Sequence, residues 1–182
     1  KIRLLVGMRC LPTIFYGMLT VLIPLLINSM TGSKVLVAVF GTTSLVVASA
    51  AQLLAGRAAD RGGARLPTLT AYATIICVGL GLALTSGTLW GLFVFGVLGN
   101  AAAWSLSTMM YVWVNDGIPK TEHPATFGLL HAVWSLSMIS GSVLGGWFVS
   151  TMPGLPFLIA GLSNIGAFIL IRSFYGRKAV GF

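Results

Sequence analysis

Gly56-Arg57-Ala58-Ala59-Asp60-Arg61-Gly62-Gly63-Ala64-Arg65 is a dense cluster of charge in a chain otherwise nearly free of it. It holds one of the three acidic residues and three of the eleven basic ones, and long apolar runs flank it on both sides. A charged loop this short between two such runs belongs at the watery surface of a membrane. Working outward, the charge-free intervals are Cys10–Ser33 with 24 residues, Val35–Gly56 with 22, Leu66–Asn115 with 50 and Pro124–Ile171 with 48. The third breaks at Ser86-Gly87 and the fourth at Thr151-Met152-Pro153-Gly154, each into two pieces long enough to be a helix of about 20 residues spanning a bilayer. Six spans follow, at 10–29, 35–55, 67–85, 89–113, 126–149 and 155–171. Helices are expected because lipid leaves no partner for an unpaired backbone group.

Composition agrees. The chain is 57% hydrophobic and 8% charged, where a soluble domain carries about 25% charged residues. So few charges cannot cover a soluble core of 182 residues, and the reading is an integral membrane protein in contact with the lipid bilayer. The net charge of +8 does not point to nucleic acid, because the basic residues cluster at the ends of apolar runs rather than among aromatics on one face. Lys1, Arg3, Arg9, Arg57, Arg61, Arg65, Lys120, Arg172, Arg177 and Lys178 fall on one side of the six spans, and Lys34 alone on the other. That asymmetry puts both termini in the cytoplasm, and the plasma (inner) membrane is the expected location. Cys10 and Cys77 lie in apolar surroundings without ligand spacing, so they read as small buried hydrophobes, and no metal or cofactor is called for. Because residue 1 is Lys and there is no leader cleavage pattern, the chain reads as a fragment or a processed product.

The pattern Gly56, Asp60-Arg61, Gly63, Arg65 resembles the loop signature of the major facilitator superfamily of secondary transporters, which joins the second and third helices of a six-helix half. Leu66 departs from it, since the family usually has another basic residue there. Gly141-Ser142-Val143-Leu144-Gly145-Gly146 looks like the family's Gly-Pro-x-x-Gly-Gly signature with Ser142 for Pro, and the plainer reading of Gly141, Gly145 and Gly146 is close helix packing. The loop Lys120-Thr121-Glu122-His123-Pro124 resembles an acidic–arginine–glycine segment of the family, with His123 where Arg is usual and Pro124 where Gly is usual. The resemblance implies an all-α membrane fold of six helices, built as two inverted three-helix repeats and forming one half of a carrier. Absence of Arg from the fourth span, together with Ser142, points to the C-terminal half. The partners implied are the other six-helix half, or a second copy of this one, and a small-molecule substrate.

The resemblance also implies that the first and fourth helices line the substrate cavity and that the Asp60 loop latches the cytoplasmic side in one state of the cycle. The first span offers Thr13, Tyr16 and Thr20, with Asn28 beyond Pro24; the fourth offers Asn100, Trp104, Thr108 and Tyr111 on one face. Interhelical hydrogen bonding is the alternative use of these groups, and Tyr111 and Trp113 also suit the membrane interface. With no charge on either face, the expected solute is neutral or weakly polar. Asp60 could meet the positive end of the fifth helix near Pro124, or could be a solvated charge. His131, in the fifth span, could sense or relay protons, or could be a neutral group satisfied by a neighbour. Gln52 and Asn164 read as packing contacts. A non-transporting membrane scaffold or assembly subunit fits the same helices; an intramembrane serine protease would need a Gly-x-Ser-Gly loop that is absent.

Overall fold

The computed structural model describes residues 2–148, 152 and 154–179, the last seven of them by backbone alone. Lys1, Val149 at the end of the fifth expected span, and Thr151 and Pro153 of the expected break lie outside the described residues. Six long helices account for nearly all of it: α1 (Ile2–Thr31), α2 (Lys34–Gly62), α3 (Arg65–Thr85), α4 (Leu89–Gly117), α5 (His123–Phe148) and α6 (Gly154–Ala179), with a 3-10 turn at Lys120–Glu122. All six contain a stretch long and apolar enough to cross a membrane.

The connections are two to five residues long where described, and local caps mark the ends of α1 and α2 and the starts of α2 and α4. The N–H of Gly32, at φ +63°, bonds to Asn28 O at 2.8 Å, and the Ser33 hydroxyl then accepts from Leu36 N to start α2. The N–H of Gly63, at φ +78°, bonds to Ala59 O and ends α2. Thr88 caps α4 by accepting from Gly91 N at 3.2 Å.

The expected spans are found, but four helices run well past them at the end of the bundle that gathers the two termini. α1 begins at Ile2 rather than near residue 10, α2 continues to Gly62 rather than 55, α4 to Gly117 rather than 113 and α6 to Ala179 rather than 171. Charge ends a membrane span, but it does not end a helix. Ala and Arg propagate a helix well, so the backbone ladder continues into the headgroup region until a glycine or a polar cap interrupts it. A helix of 30 residues such as α1 is about 45 Å long, against roughly 30 Å of hydrocarbon. The expected charged loop therefore shrinks to Gly63 and Ala64: Gly56, Asp60 and Arg61 ride on the last two turns of α2, and Arg65 opens α3.

Packing carries the symmetry of an inverted repeat. α1 packs chiefly on α5, α4 chiefly on α2, and α3 on α6. Exchanging the first three helices for the last three maps this set of pairs onto itself, which is the relation between two three-helix repeats of opposite topology. α1 is the most buried element, with Phe15, Leu19, Leu22, Ile23 and Ile27 inaccessible, and it packs against Tyr72, Ile75 and Leu82 of α3, Leu92 of α4 and Phe157 of α6. α2 and α5 lie outermost. Each buries only a narrow stripe of mostly small residues: Phe40, Ser44, Ala48, Ala55 and Ala59 on α2, and Thr126, Leu130, Ser137, Gly141 and Gly145 on α5. Their other faces present Leu45, Val46, Leu53, Leu136, Ile139 and Val143 outward, as lipid or another apolar surface requires.

The α1–α5 crossing is close because it is lined by glycine. A Cβ at Gly17 would stand 2.6 Å from Met138 O, and one at Gly141 would run into Ile14 O. Ser142 Oγ donates to Gly17 O at 3.3 Å across the same contact. Gly145 packs on Met18 and Leu22, whereas Gly146 is exposed with nothing within 4 Å, so it takes no part in this crossing. Two positions in three serve packing as expected, and the third lies about 100° further round the helix.

Candidate functional site

Where α1, α4 and α5 meet, between the core and the end of the bundle that gathers the termini, they line a partly open cavity of about 210 Å3. α1 contributes Arg9, Pro12, Thr13 and Tyr16; α4 contributes Trp104, Ser107, Tyr111 and Trp113; α5 contributes His131 and Trp134. By helical rise, Tyr16 and Trp104 stand about 20 Å along their helices from that end, near mid-bilayer, and Arg9 about 10 Å.

Tyr16 and Trp104 come from the two helices expected to line a cavity. Trp104 Nε1 donates to Tyr16 Oη at 3.1 Å, and the two rings meet edge to face with centroids 6.1 Å apart. The bond uses the indole donor and leaves the phenol hydroxyl with its own proton to offer. Thr13 is buried, and its hydroxyl donates to Arg9 O at 2.6 Å, which satisfies it within α1. His131 is exposed on α5 where that helix borders the cavity. Thr13, Tyr16, Trp104 and His131 are thus brought together.

Thr20, Asn100 and Thr108 are not among the lining residues. Thr20 donates to Gly17 O at 2.9 Å. Asn100, 7% exposed, turns its amide back to Gly96 O at 3.0 Å. Thr108 lies in a separate open groove between α2 and α4 with Ser49, Gln52, Gly56, Arg57 and Asp60. Asn164 behaves like Asn100, its Nδ2 donating to Ala160 O at 2.7 Å within α6.

That groove fixes the surroundings of Asp60. The carboxylate is exposed and forms no ion pair or hydrogen bond with any described residue. No residue of α5 lines the groove, so the contact with the start of α5 that the sequence suggested is not made here. His123 Nε2 instead lies 2.9 Å from Ile118 O, and its ring meets Phe127, closing the turn between α4 and α5.

Arg9 is the residue that sequence reasoning assigned elsewhere. It reads as a flank anchor because it is the last charge before an apolar run, yet it is 9% exposed and lines the cavity. α3 explains the burial: Tyr72 Oη donates to Met8 O at 2.7 Å and holds α3 against the start of α1. The available signal was the spacing of four between Arg9 and Thr13, which sets them on one helix face. Trp113 likewise suits the membrane interface by its position in the sequence, and it too lines the cavity. Arg9 Nε and Trp113 Nε1 are buried, and neither has an acceptor among the described residues.

The chain matches the family profile of the Major Facilitator Superfamily over residues 5–180. It is 30% identical over 122 residues to the tetracycline resistance protein, class D, of Salmonella ordonez, a match covering 65% of this chain and 29% of that protein. It is 24% identical over 143 residues to citrate exporter 1 of Yarrowia lipolytica, covering 78% of this chain and 21% of that protein. The chain thus spans less than a third of the length of each of these relatives. No solved structure matches it. With a profile match along almost its whole length and six apolar helices packed as an inverted repeat, the chain belongs to the Major Facilitator Superfamily.

Proposed function

We propose that this chain is one half, the C-terminal one, of a secondary transporter that carries a small organic solute by alternating access. A second six-helix half, or a second copy, supplies the facing wall of the cavity. The observation that carries this reading is the joining of Tyr16 on α1 to Trp104 on α4 over a cavity near mid-bilayer. Carriers built of such repeats bind their solute at mid-membrane and rock one bundle against the other around it. The family match and the names of the two relatives support transport as opposed to enzymatic chemistry. One relative is named for tetracycline resistance and the other for citrate export, so neither hands its solute to this chain. Both termini face the cytoplasm, on the side that collects ten of the eleven basic residues.

Access to the cavity tests the reading without knowledge of the solute. In the complete carrier, with Cys10→Ala and Cys77→Ala as background, Ser107→Cys is labelled in oriented vesicles by an impermeant maleimide applied from either side. An alternating-access carrier reacts from both sides, and a cross-link closing one side speeds labelling from the other. Labelling confined to one side makes the chain a scaffold. Lys34→Cys, reacting only from outside, and Arg3→Cys, reacting only from inside, fix the orientation in the same preparation.

A further inference from the structure

The lining of the cavity holds one cation, Arg9, and no carboxylate. Arg9 brings a guanidinium that is charged at every accessible pH and offers five N–H groups without any acceptor. Trp113 adds an indole N–H, which is a donor only. The Nε of Arg9 and the Nε1 of Trp113 are both buried and lack acceptors among the described residues. The chain's three acidic residues lie elsewhere: Asp60 in the α2–α4 groove, Asp116 near the end of α4, and Glu122 in the turn before α5. Arg9 has phenols for neighbours, those of Tyr111 and Tyr72, and pairs with no carboxylate among the described residues. Tyr72 already donates to Met8 O.

A buried cation with no counter-charge is unfavourable in any protein, so one that borders a cavity points to an anionic ligand. An anion would compensate Arg9, and the chemistry of the lining says which kind. A guanidinium pairs in a planar, bidentate way with a carboxylate. Trp104, Trp134 and Met110 give the remaining walls aromatic and apolar surface, interrupted by the polar groups of Ser107, Tyr111 and His131. They suit an organic body rather than an inorganic ion.

We propose that the cavity recognises an organic carboxylate, its anionic group held by Arg9 and Trp113 and its body set against Trp104 and Trp134. This replaces the neutral solute that the uncharged faces of the first and fourth spans suggested. It rests on the carrier reading for what binding accomplishes, but not for the binding itself.

The test uses the complete carrier in lipid nanodiscs and three acids, benzoate, phenylacetate and glutarate, each beside its neutral amide. Binding is read by quenching of tryptophan fluorescence and by thermal shift. At least one acid binds ten-fold or more tightly than its amide. Arg9→Gln brings that preference below two-fold, Arg9→Lys retains part of it, and Trp113→Phe reduces it several-fold. Without ligand, Arg9→Gln melts at the same temperature as the native protein or higher, because an uncompensated buried charge has been removed. The proposal is overturned if no acid binds, if acids and amides bind alike, or if the preference survives Arg9→Gln. It is also overturned if Arg9→Gln melts lower while the preference persists, since Arg9 is then a structural residue. Labelling of Ser107→Cys from both sides with no preference for acids keeps the carrier reading and removes this one; a preference for acids with one-sided labelling does the reverse.

Discussion

Asp60 sits three residues before the glycine that ends α2, one turn beyond Arg57, and is open to water in a groove shared with Thr108 of α4. An exposed carboxylate with no partner contributes little to folding, so Asp60→Asn should move stability by less than about 0.5 kcal/mol. In a latch the same change removes a charge that steadies one state of the cycle. The expected outcome is a reduced initial rate of solute flux through the complete carrier at unchanged melting temperature and membrane level; an unchanged rate reduces Asp60 to a loop charge. Charge clustered between apolar runs suggests a loop around Asp60, but alanine and arginine prolong the helix through it. The cavity was legible only in part. Offsets of three and four select one face, yet each residue turns about 100°, so a stripe drifts. From Asn100, Trp104 lies about 40° round the helix and Thr108 about 80°, far enough to leave the cavity for the α2 side. Asn100 is lost for another reason: a short amide on a buried helix face finds its nearest acceptor in its own backbone, four residues back. Arg9 was hidden because counting charges cannot tell a cation at a span's edge from one tucked beneath a neighbouring helix.

At the scale of elements, the contact of α1 with α5 separates the glycines that space two backbones from the glycine that does not. A methyl group at Gly141 meets the carbonyl of Ile14, and one at Gly17 meets that of Met138. Neither carbonyl can rotate away as a side chain would, so the helices must part. Overpacking of this sort costs roughly 1–3 kcal/mol, and a helix-propensity gain of about 1 kcal/mol offsets only some of it. At Gly146 the gain stands alone. Gly141→Ala should therefore lower the melting temperature in detergent, and Gly17→Ala likewise, while Gly146→Ala leaves it unchanged or raises it. A fall of similar size for Gly146→Ala would mean that α5 packs on that face too. The sequence motif marked a crowded helix but not its partner: the matching glycine lies 124 residues away, between Phe15 and Met18, where no local pattern sets it apart. The inverted repeat was legible for the opposite reason, since it follows from counting spans and from where charge falls.

For the whole molecule, the outer helices decide whether one bundle is enough. α2 and α5 bury a single narrow stripe each, and the cavity lies between α1, α4 and α5, bounded by this chain on one side. Its volume of about 210 Å3 falls short of the roughly 300–1,000 Å3 of a complete small-molecule pocket. A lone bundle would leave the half-buried Tyr16 and Trp104 bordering lipid, where unsatisfied polar groups are costly. It would also lack a second body to rock against, and alternating access by rocking needs two. On the carrier reading, the 182-residue chain reconstituted as a monomer should show no saturable flux. Adding the complementary six-helix half should restore it, and Tyr16→Phe should then shift solute affinity because it removes the acceptor of the Trp104 N–H. The measurement is uptake into liposomes, with cross-linking to count copies per particle. Saturable, solute-specific flux by single copies would replace the half-carrier with a self-contained six-helix carrier. Flux by pairs of this chain alone would instead assign the facing wall to a second copy, whose own α2 and α5 would then cover the apolar faces exposed here.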